Sequence, residues 1–282
     1  MTEADFTIYE PDNSLKKGYA SLFGEIFSEI NKNRWLIYQL FKKDFVALYK
    51  QSFIGFLWAI VLPLVSVGTF IVLKGAGVFN VGSISVPYPV YAILGMAIWG
   101  LFATGIVATS NALVNAGPMI TKINFSKKSL VIASMGQGLL AFVVQLGLVF
   151  VLLLYYHTVP SVDILLIPLL IVPVLVFTLG LGFLMSLLNG VVRDIANMLA
   201  VVVTFLMFLT PILYAKPSTG ALATLSGYNI MYYLVAVPRD MILYGTSDYL
   251  NGFFLSSVVA FIFFILFLAV FHLTETRVAE RI

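Results

Sequence analysis

Cysteine is absent from this sequence of 282 residues, and charged side chains make up only 10% of it. The lack of cysteine excludes disulfide bridges, thiolate metal sites and cysteine nucleophiles. The scarcity of charge excludes an ordinary soluble domain, in which about 25% of the residues are charged. Two histidines occur, His157 and His272, and their separation fits no zinc motif such as H-E-x-x-H. The composition therefore predicts no metal centre.

Long apolar stretches are abundant, and 61% of the residues are hydrophobic. A helix needs about 20 apolar residues to span the hydrocarbon core of a bilayer. We predict an all-α integral membrane protein with a six-helix transmembrane domain over residues 51–274. The six predicted spans contain no Asp, Glu, Lys or Arg and lie at about 52–73, 90–110, 130–155, 164–188, 195–214 and 253–273.

Motifs for nucleotide binding and acyl transfer are also missing. G-x-x-x-x-G-K-[ST] does not occur, so the chain has no P-loop of its own, and no G-x-S-x-G elbow is present. Proton- and ion-coupled carriers commonly keep ionisable residues inside their spans, where such groups are retained for function. The charge-free spans therefore argue against ion coupling and predict that a partner protein supplies the energy for transport. We expect no catalytic residue in this chain.

The distribution of basic residues predicts the orientation in the membrane. Thirteen of the sixteen Lys and Arg residues fall before the first span, in the loops after the second and fourth spans, or near the C-terminus. Basic residues concentrate on the cytoplasmic side of membrane proteins. The pattern therefore predicts a multi-pass protein with both termini in the cytoplasm, including a cytoplasmic tail at 275–282.

A segment at 35–50 precedes the first span and follows a cytoplasmic segment at 1–34. Its apolar residues recur at helical spacing, and its charged residues occupy other positions. This pattern predicts an amphipathic helix that lies in the inner membrane interface. The alternative is a cytoplasmic extension of the first span. The residues assigned to the interfacial helix are Trp35, Phe41, Phe45, Tyr49 and Lys50.

The stretch at about 215–245 is neither a span nor a simple loop. A run rich in Ser, Thr and Gly leads into the apolar run 230–237, which ends at Pro238 and is too short to cross a bilayer. The charge pattern places it on the outer side. A re-entrant segment between the fifth and sixth spans fits, provided that protein or water shields its backbone from lipid. The alternative is a wholly extracellular loop with a buried helix.

The loop after the second span is the candidate docking element for an energy-supplying partner. Pro118 can open a short helix there, and the neighbouring apolar side chains would form a contact surface. The alternative is an interfacial loop whose lysines touch acidic lipid headgroups. The candidate coupling residues are Pro118, Met119, Ile120, Lys122, Ile123 and Phe125.

The blocks at 9–64, 193–214 and 228–245 occur in an order and with a residue pattern that resemble type-2 ABC exporter permeases, most closely those for O-antigen, teichoic acid and capsular polysaccharide. The block at 193–214 resembles the family's fifth span, and the block at 228–245 resembles its extracellular re-entrant segment. The chain departs from the family pattern at Ile230, where proline is common. The N-terminal block at 9–64 carries the core of the match, namely Tyr49-Lys50-Gln51-Ser52, Gly55-Phe56-Leu57-Trp58 and Pro63.

The resemblance implies the membrane subunit of an exporter in the bacterial cytoplasmic (inner) membrane. Two copies of the chain would form a homodimeric channel, with two copies of a separate P-loop ABC ATPase beneath it. ATP and Mg would bind to that ATPase, and this chain would hold no cofactor and catalyse no bond chemistry. A lipid-linked polysaccharide would leave through the channel, and nucleic acid would have no part in the process.

Aromatic residues, at 15% of the chain, have two interpretations. Tyr and Trp form belts at membrane interfaces, and sugar rings also pack on aromatic faces. Arg193 and Asp194 begin the fifth span as an ion pair or helix cap, or as an inner gate. The candidate residues for a glycan path are Trp58, Tyr91, Trp99, Phe102, Tyr232 and Tyr233.

Two other functions are compatible with this sequence. A type-2 ABC permease for drugs or small lipids usually has a large loop between the first two spans or a weaker N-terminal interfacial block, and here the loop at 74–89 is short. A membrane-embedded glycosyltransferase or acyltransferase would need carboxylates or histidines in a catalytic spacing. Asp163, Asp240 and Asp248 are too scattered for that role, so we favour the polysaccharide exporter.

Overall fold

The computed structural model describes residues 19–49, 55–77, 81–82, 84–120, 125–215 and 219–279, and the regular elements in these ranges are all helices. Five helical segments are long and apolar enough to cross a membrane. The all-α architecture is therefore confirmed. The longer helices are α1 (Tyr19–Lys32), α2 (Arg34–Tyr49), α3 (Trp58–Gly75), α4 (Tyr88–Ser110), α5 (Lys128–Tyr155), α6 (Val172–Val191), α7 (Ile195–Leu209), α8 (Ala221–Tyr228), α9 (Ile230–Tyr244) and α10 (Leu250–Ala279).

The fifth predicted span differs from the other five in length. Its helix, α7, has 15 residues and rises about 22 Å, whereas the hydrocarbon core is about 30 Å thick. Residues 210–215 continue the chain without regular structure. Helix α7 is apolar, but it is too short by itself to span the membrane, so the sixth crossing stays a prediction.

Helix α4 is the central element of the bundle. It packs against α5, α6 and α9, and most of its side chains are buried. Glycines permit this close packing, because a Cβ atom on Gly138 of α5 would lie 2.6 Å from the carbonyl oxygen of Leu101. Likewise, a Cβ atom on Gly180 of α6 would lie 2.7 Å from the Cα atom of Phe264 in α10. The bundle core thus depends on backbones that almost touch.

Two apolar clusters divide the core and define the two ends of the bundle. The smaller cluster joins Ile26 of α1 and Leu40 of α2 to Phe271 near the end of α10. We call this the basal end, and we call the opposite end, which holds α8 and α9, the apical end. The larger cluster extends along α4 to the apical end, where it includes Leu234 of α9.

Two helices, α1 and α2, precede the first membrane-spanning helix. The predicted helix at 35–50 corresponds to α2, whereas α1 lies in the segment that the sequence assigned only to the cytoplasm. In α1, Phe23, Ile26 and Ile30 recur at helical spacing and pack on the basal cluster. Burying one apolar face in this way is what holds a short surface helix on a bundle.

The helix that contains the apolar run 230–237 extends beyond that run. Helix α9 continues through Pro238 to Tyr244 and ends at Gly245, which has a positive φ of 73°. Proline removes one hydrogen bond from a helix interior, and glycine readily adopts the left-handed conformation that ends one. Residues 234–239 are all buried, and this packing keeps the helix intact across the proline.

Candidate functional site

The coupling segment is residues 117–125, and its described part, 117–120 and 125, lies at the basal end between α4 and α5. A four-residue helix, Ala112–Asn115, follows α4, and a second one, Gly117–Ile120, contains Pro118. The prediction of a short helix at Pro118 is therefore confirmed. Lys122 and Ile123 lie outside the described residues.

The apolar side chains of the coupling segment are partly used within the chain itself. Met119, Ile120 and Phe125 are half-buried against the basal cluster, while Pro118 is exposed. Ala116, just before the segment, is buried in the same cluster. The described residues of the segment therefore pack against several helices at the basal end.

The turn between α6 and α7 is organised by Asn189, which sequence reasoning missed. Asp194 occupies the position before the first residue of α7, but its carboxylate accepts no hydrogen bond from that helix. Instead the side-chain oxygen of Asn189 accepts a hydrogen bond from the Ala196 N–H at 3.3 Å. The expectation of an Asp194 side-chain cap is thus corrected. Arg193 is exposed beside it.

The amide nitrogen of Asn189 links this turn to the base of α4. It donates to the Ser110 carbonyl at 3.0 Å and to the Asn111 side-chain oxygen at 3.2 Å. Asn189 is almost fully buried. The sequence feature that could have identified Asn189 is its position as a polar residue directly after the apolar run of the fourth predicted span, which ends at 188. The base of α4, and with it the start of the coupling segment, is therefore tied to α6 and α7.

A buried lysine connects the other side of the coupling segment to the two terminal helices. The ammonium group of Lys128 donates to the Glu29 carboxylate at 2.8 Å and to the Glu275 carboxylate. Burial alone would raise the pKa of Glu29, but the hydrogen bond and the charge of Lys128 outweigh it and hold that pKa below its usual value. Sequence reasoning missed this cluster, because the three residues lie far apart in the chain.

A groove with a volume of about 260 Å³ opens beside the coupling segment, between α2 and α5. Lys43 and Asp44 on α2 face Asn115 and Gln137 across it. Burial raises the pKa of Asp44, and the charge of Lys43 opposes that shift. Polar and apolar side chains line both walls of the groove.

Helix α2 presents aromatic side chains on two sides. Phe41 lies on α5, where its ring fills the space that a side chain at Gly136 would need. Phe41 also contacts Phe45, with 6.4 Å between ring centroids. On the other side Trp35 is 70% exposed. Of the remaining interfacial candidates, the Tyr49 side chain and Lys50 lie outside the described residues.

The candidate path aromatics separate into buried and exposed groups. Trp99 and Phe102 are buried in α4, with 5.2 Å between their ring centroids, and Phe102 stacks on Phe177 of α6. Trp58, at the start of α3, is 42% exposed. Within a single chain, Trp99 and Phe102 therefore belong to the core of the bundle, whereas Trp58 is accessible at its surface.

The remaining aromatic candidates hold the apical end together. Tyr91 is buried beneath the guanidinium group of Arg239, and its hydroxyl donates to the Tyr214 carbonyl at 3.4 Å. Tyr232 is buried against Tyr249, while the half-buried Tyr233 donates from its hydroxyl to the Gly227 carbonyl at 2.9 Å. These contacts tie α8, α9 and α10 to one another.

Arg239 is a further residue that sequence reasoning did not select. It is 3% exposed, and its guanidinium group donates to the carbonyl oxygens of Pro211 and Ile212 just beyond α7, at 3.4 Å and 3.0 Å. It also donates to Asp240 at 3.2 Å. A Cβ atom on Gly95 would lie 2.9 Å from the same Ile212 oxygen. Arg239 and Gly95 together allow the non-helical chain after α7 to lie directly on α4.

Comparison with known proteins connects these features to membrane transport. The family model described as ABC-2 type transporter matches residues 36–243. The chain is 28% identical to the O-antigen export system permease protein RfbA of Myxococcus xanthus over 190 aligned residues. This alignment covers 66% of this chain and 70% of the Myxococcus protein. Two proteins of the same name from Klebsiella pneumoniae are 25% and 24% identical. The first alignment covers 76% of this chain and 82% of the relative, and the second covers 87% of this chain and 94% of the relative.

Proposed function

Because this chain belongs to the ABC-2 type transporter family, we propose that it is the channel-forming membrane subunit of an ATP-driven exporter of a lipid-linked surface polysaccharide. The family match over 36–243 carries the proposal, and the relatives named as O-antigen export permeases support the class of substrate. The glycan would be of the O-antigen, teichoic acid or capsule type. In this role the chain moves its substrate without bond chemistry.

The energy would come from a separate ABC ATPase that binds ATP and Mg at the basal end. The sequence has no P-loop, and the coupling segment lies between helix ends that would pass on a movement. The exposed Pro118 would be a direct contact for the ATPase. Among the described residues, most Lys and Arg belong to the basal end, which supports a cytoplasmic position for that end in the bacterial inner membrane.

The remaining topology follows from the same orientation. Helix α7 with residues 210–214 would complete a sixth crossing, so that both termini lie on the cytoplasmic side. Helices α8 and α9 would form the re-entrant segment, because ten of the fifteen residues of α9 are buried and protein therefore shields most of its backbone from lipid. The exposed Trp35 supports an interfacial position for α2, since tryptophan favours the headgroup region.

A second copy of this chain would complete the channel by covering α3 and α7. Only Val67 of α3 and Val203 of α7 are buried within one chain. Asn197 of α7 is exposed, and lipid would offer its amide no hydrogen-bond partner. A homodimer in which these helices face each other would supply such partners and would place Trp58 beside the conduit.

The dimer can be tested by cross-linking, because the chain contains no cysteine. An Asn197→Cys variant should form disulfide-linked dimers in native membranes under mild oxidation. A matched Leu255→Cys variant, on the exposed face of α10, should remain monomeric. Equal cross-linking of the two variants would contradict the proposed interface.

The exporter itself can be tested with the complex purified in mild detergent. A stoichiometric ABC ATPase should co-purify, and the reconstituted complex should move a lipid-linked glycan across vesicles only with ATP. Pro118→Asp should lower ATPase retention by about tenfold, equivalent to about 1.4 kcal/mol. Val159→Asp, an exposed position at the apical end, should have no effect. A complex that moves glycan without an ATPase would overturn the proposal.

A further inference from the structure

Lys128 joins three helices at one buried point. It is the first residue of α5, and its side chain is 0% exposed. Its ammonium group lies between Glu29 of α1 and Glu275 of α10, and donates a hydrogen bond to each carboxylate. His272 approaches from the same turn of α10, with its Nδ1 atom 3.6 Å from the Glu275 oxygen. Three helices that are distant in sequence therefore share one cation.

The stability of α5 alone does not explain a lysine at this position. The N-terminal end of a helix carries partial positive charge, so a cation in the first turn is unfavourable there. A buried ammonium group also loses its hydration, and only paired and hydrogen-bonded carboxylates compensate for that loss. The favourable interactions of Lys128 thus come from α1 and α10 and not from its own helix.

A metal site does not account for the cluster either. Glu29, His272 and Glu275 offer ligand atoms that lie within 4.8 Å of one another. The Lys128 ammonium group already lies between the two carboxylates and is fully buried. A divalent ion would have to share the site with this cation, and the two would repel each other. Lys128 is itself the cation of this site.

The position of Lys128 connects it to the coupling segment. It lies three residues after Phe125, which packs on the same basal cluster as Phe23 of α1 and Phe271 of α10. Apolar contacts of this kind hold helices together, but they have little directional preference. The hydrogen bonds of Lys128 are directional, so a displacement of the segment carries α1 and α10 in a defined direction.

We propose that Lys128 is a positioning residue that couples the coupling segment to α1 and α10, so that movement of the segment by an ATPase moves all three as one unit. The inference rests on the proposed function for the source of the movement. The link between the helices is a property of this chain alone and can be measured without any partner.

The link can be measured with spin labels, because the labelled cysteines will be the only ones in the chain. Labels at Phe27→Cys on α1 and Asn115→Cys beside the coupling segment occupy exposed positions. Wild-type Lys128 should give a narrow distance distribution between them. Lys128→Met should broaden it, and Lys128→Arg, which keeps the charge, should restore most of it. Lys32→Met, at an exposed lysine of α1, is the control and should match wild type.

The functional consequence is a loss of coupling rather than a loss of binding. In the reconstituted complex, Lys128→Met should lower glycan exported per ATP hydrolysed by about tenfold, within the range that coupling between sites produces. ATPase retention should change by less than about twofold. The double variant Lys128→Met/Glu275→Gln, which leaves one fewer unpaired buried charge, should fold better and remain uncoupled.

Three outcomes are informative. A narrow distance distribution together with unchanged export per ATP in the double variant would overturn the inference. A broad distribution with reduced export per ATP would support it. If wild type binds no ATPase, the proposed function fails, while the distance measurement without ATPase still decides whether Lys128 links the helices.

Discussion

The guanidinium group of Arg239 lies 3.9 Å from the centre of the Tyr91 ring and is held there by the carbonyl oxygens of Pro211 and Ile212. The two residues belong to α9 and α4. Their contact fixes the irregular chain after α7 against the centre of the bundle. Non-helical backbone that is buried in a membrane protein needs hydrogen-bond partners from the protein itself. The guanidinium group of Arg239 provides them for these two carbonyls.

Replacing Arg239 should loosen the apical end. Arg239→Leu removes the donors to two carbonyls and leaves Asp240 without its partner, so the free energy of unfolding should fall by about 3–5 kcal/mol. Thermal unfolding in detergent measures the loss. Amide hydrogen exchange should increase most at residues 212–215.

Tyr91→Phe is the matched control for the Arg239 variant, because it keeps the ring beneath the guanidinium group. It removes the long hydrogen bond to the Tyr214 carbonyl and should change stability by less than about 1 kcal/mol. A loss as large as that of Arg239→Leu would contradict the role assigned to the ring.

Asn189→Leu should separate α7 from the base of α4. The Ser110 carbonyl, the Asn111 side chain and the Ala196 N–H would each lose a partner, which should cost about 1–3 kcal/mol. Thermal unfolding of the purified protein gives the value. The exposed Asn251 of α10 serves for comparison, and its replacement by Leu should change stability by no more than about 0.5 kcal/mol.

Two glycines of α5 should respond oppositely to alanine. Gly138→Ala places a methyl group 2.6 Å from the Leu101 carbonyl of α4, so overpacking should cost about 1–3 kcal/mol. Gly147→Ala meets nothing within 4 Å and should stabilise the helix by up to about 1 kcal/mol. Denaturation midpoints of the two variants provide the test, and changes of equal sign would refute the packing of α4 on α5.

Acidification should weaken the attachment of α1 through Glu29. The pKa of this carboxyl is lowered from its ordinary value of 4.5, so its contribution to stability is present above that pH and is lost as the pH falls further. Melting temperatures between pH 7 and pH 3 should fall more steeply for wild type than for Glu29→Gln. Parallel curves would show that Glu29 is not paired in the folded protein.

Several features of this protein were predictable from local sequence. Helices α4 and α5 each begin two residues before the predicted spans at 90–110 and 130–155 and end with them, because apolar length is a property of a continuous segment. The first span begins later, at Trp58, and the short helix at Pro118 also appears as predicted. Helix α9 continues through Pro238, since burial of residues 234–239 outweighs the local preference of proline to end a helix.

The sequence by itself determined that the chain belongs in a membrane, roughly where its long apolar segments lie, and which loops carry the basic residues. Only the tertiary structure decided which polar side chains meet. Lys128 and its two carboxylates are separated by 99 and 147 residues, and Asn189 lies 79 residues from Ser110. The spans are apolar on all sides, so no periodicity indicates which face packs inward. These pairs form because a buried polar group without a hydrogen-bond partner is costly. The folded bundle brings each of these polar side chains next to its partner.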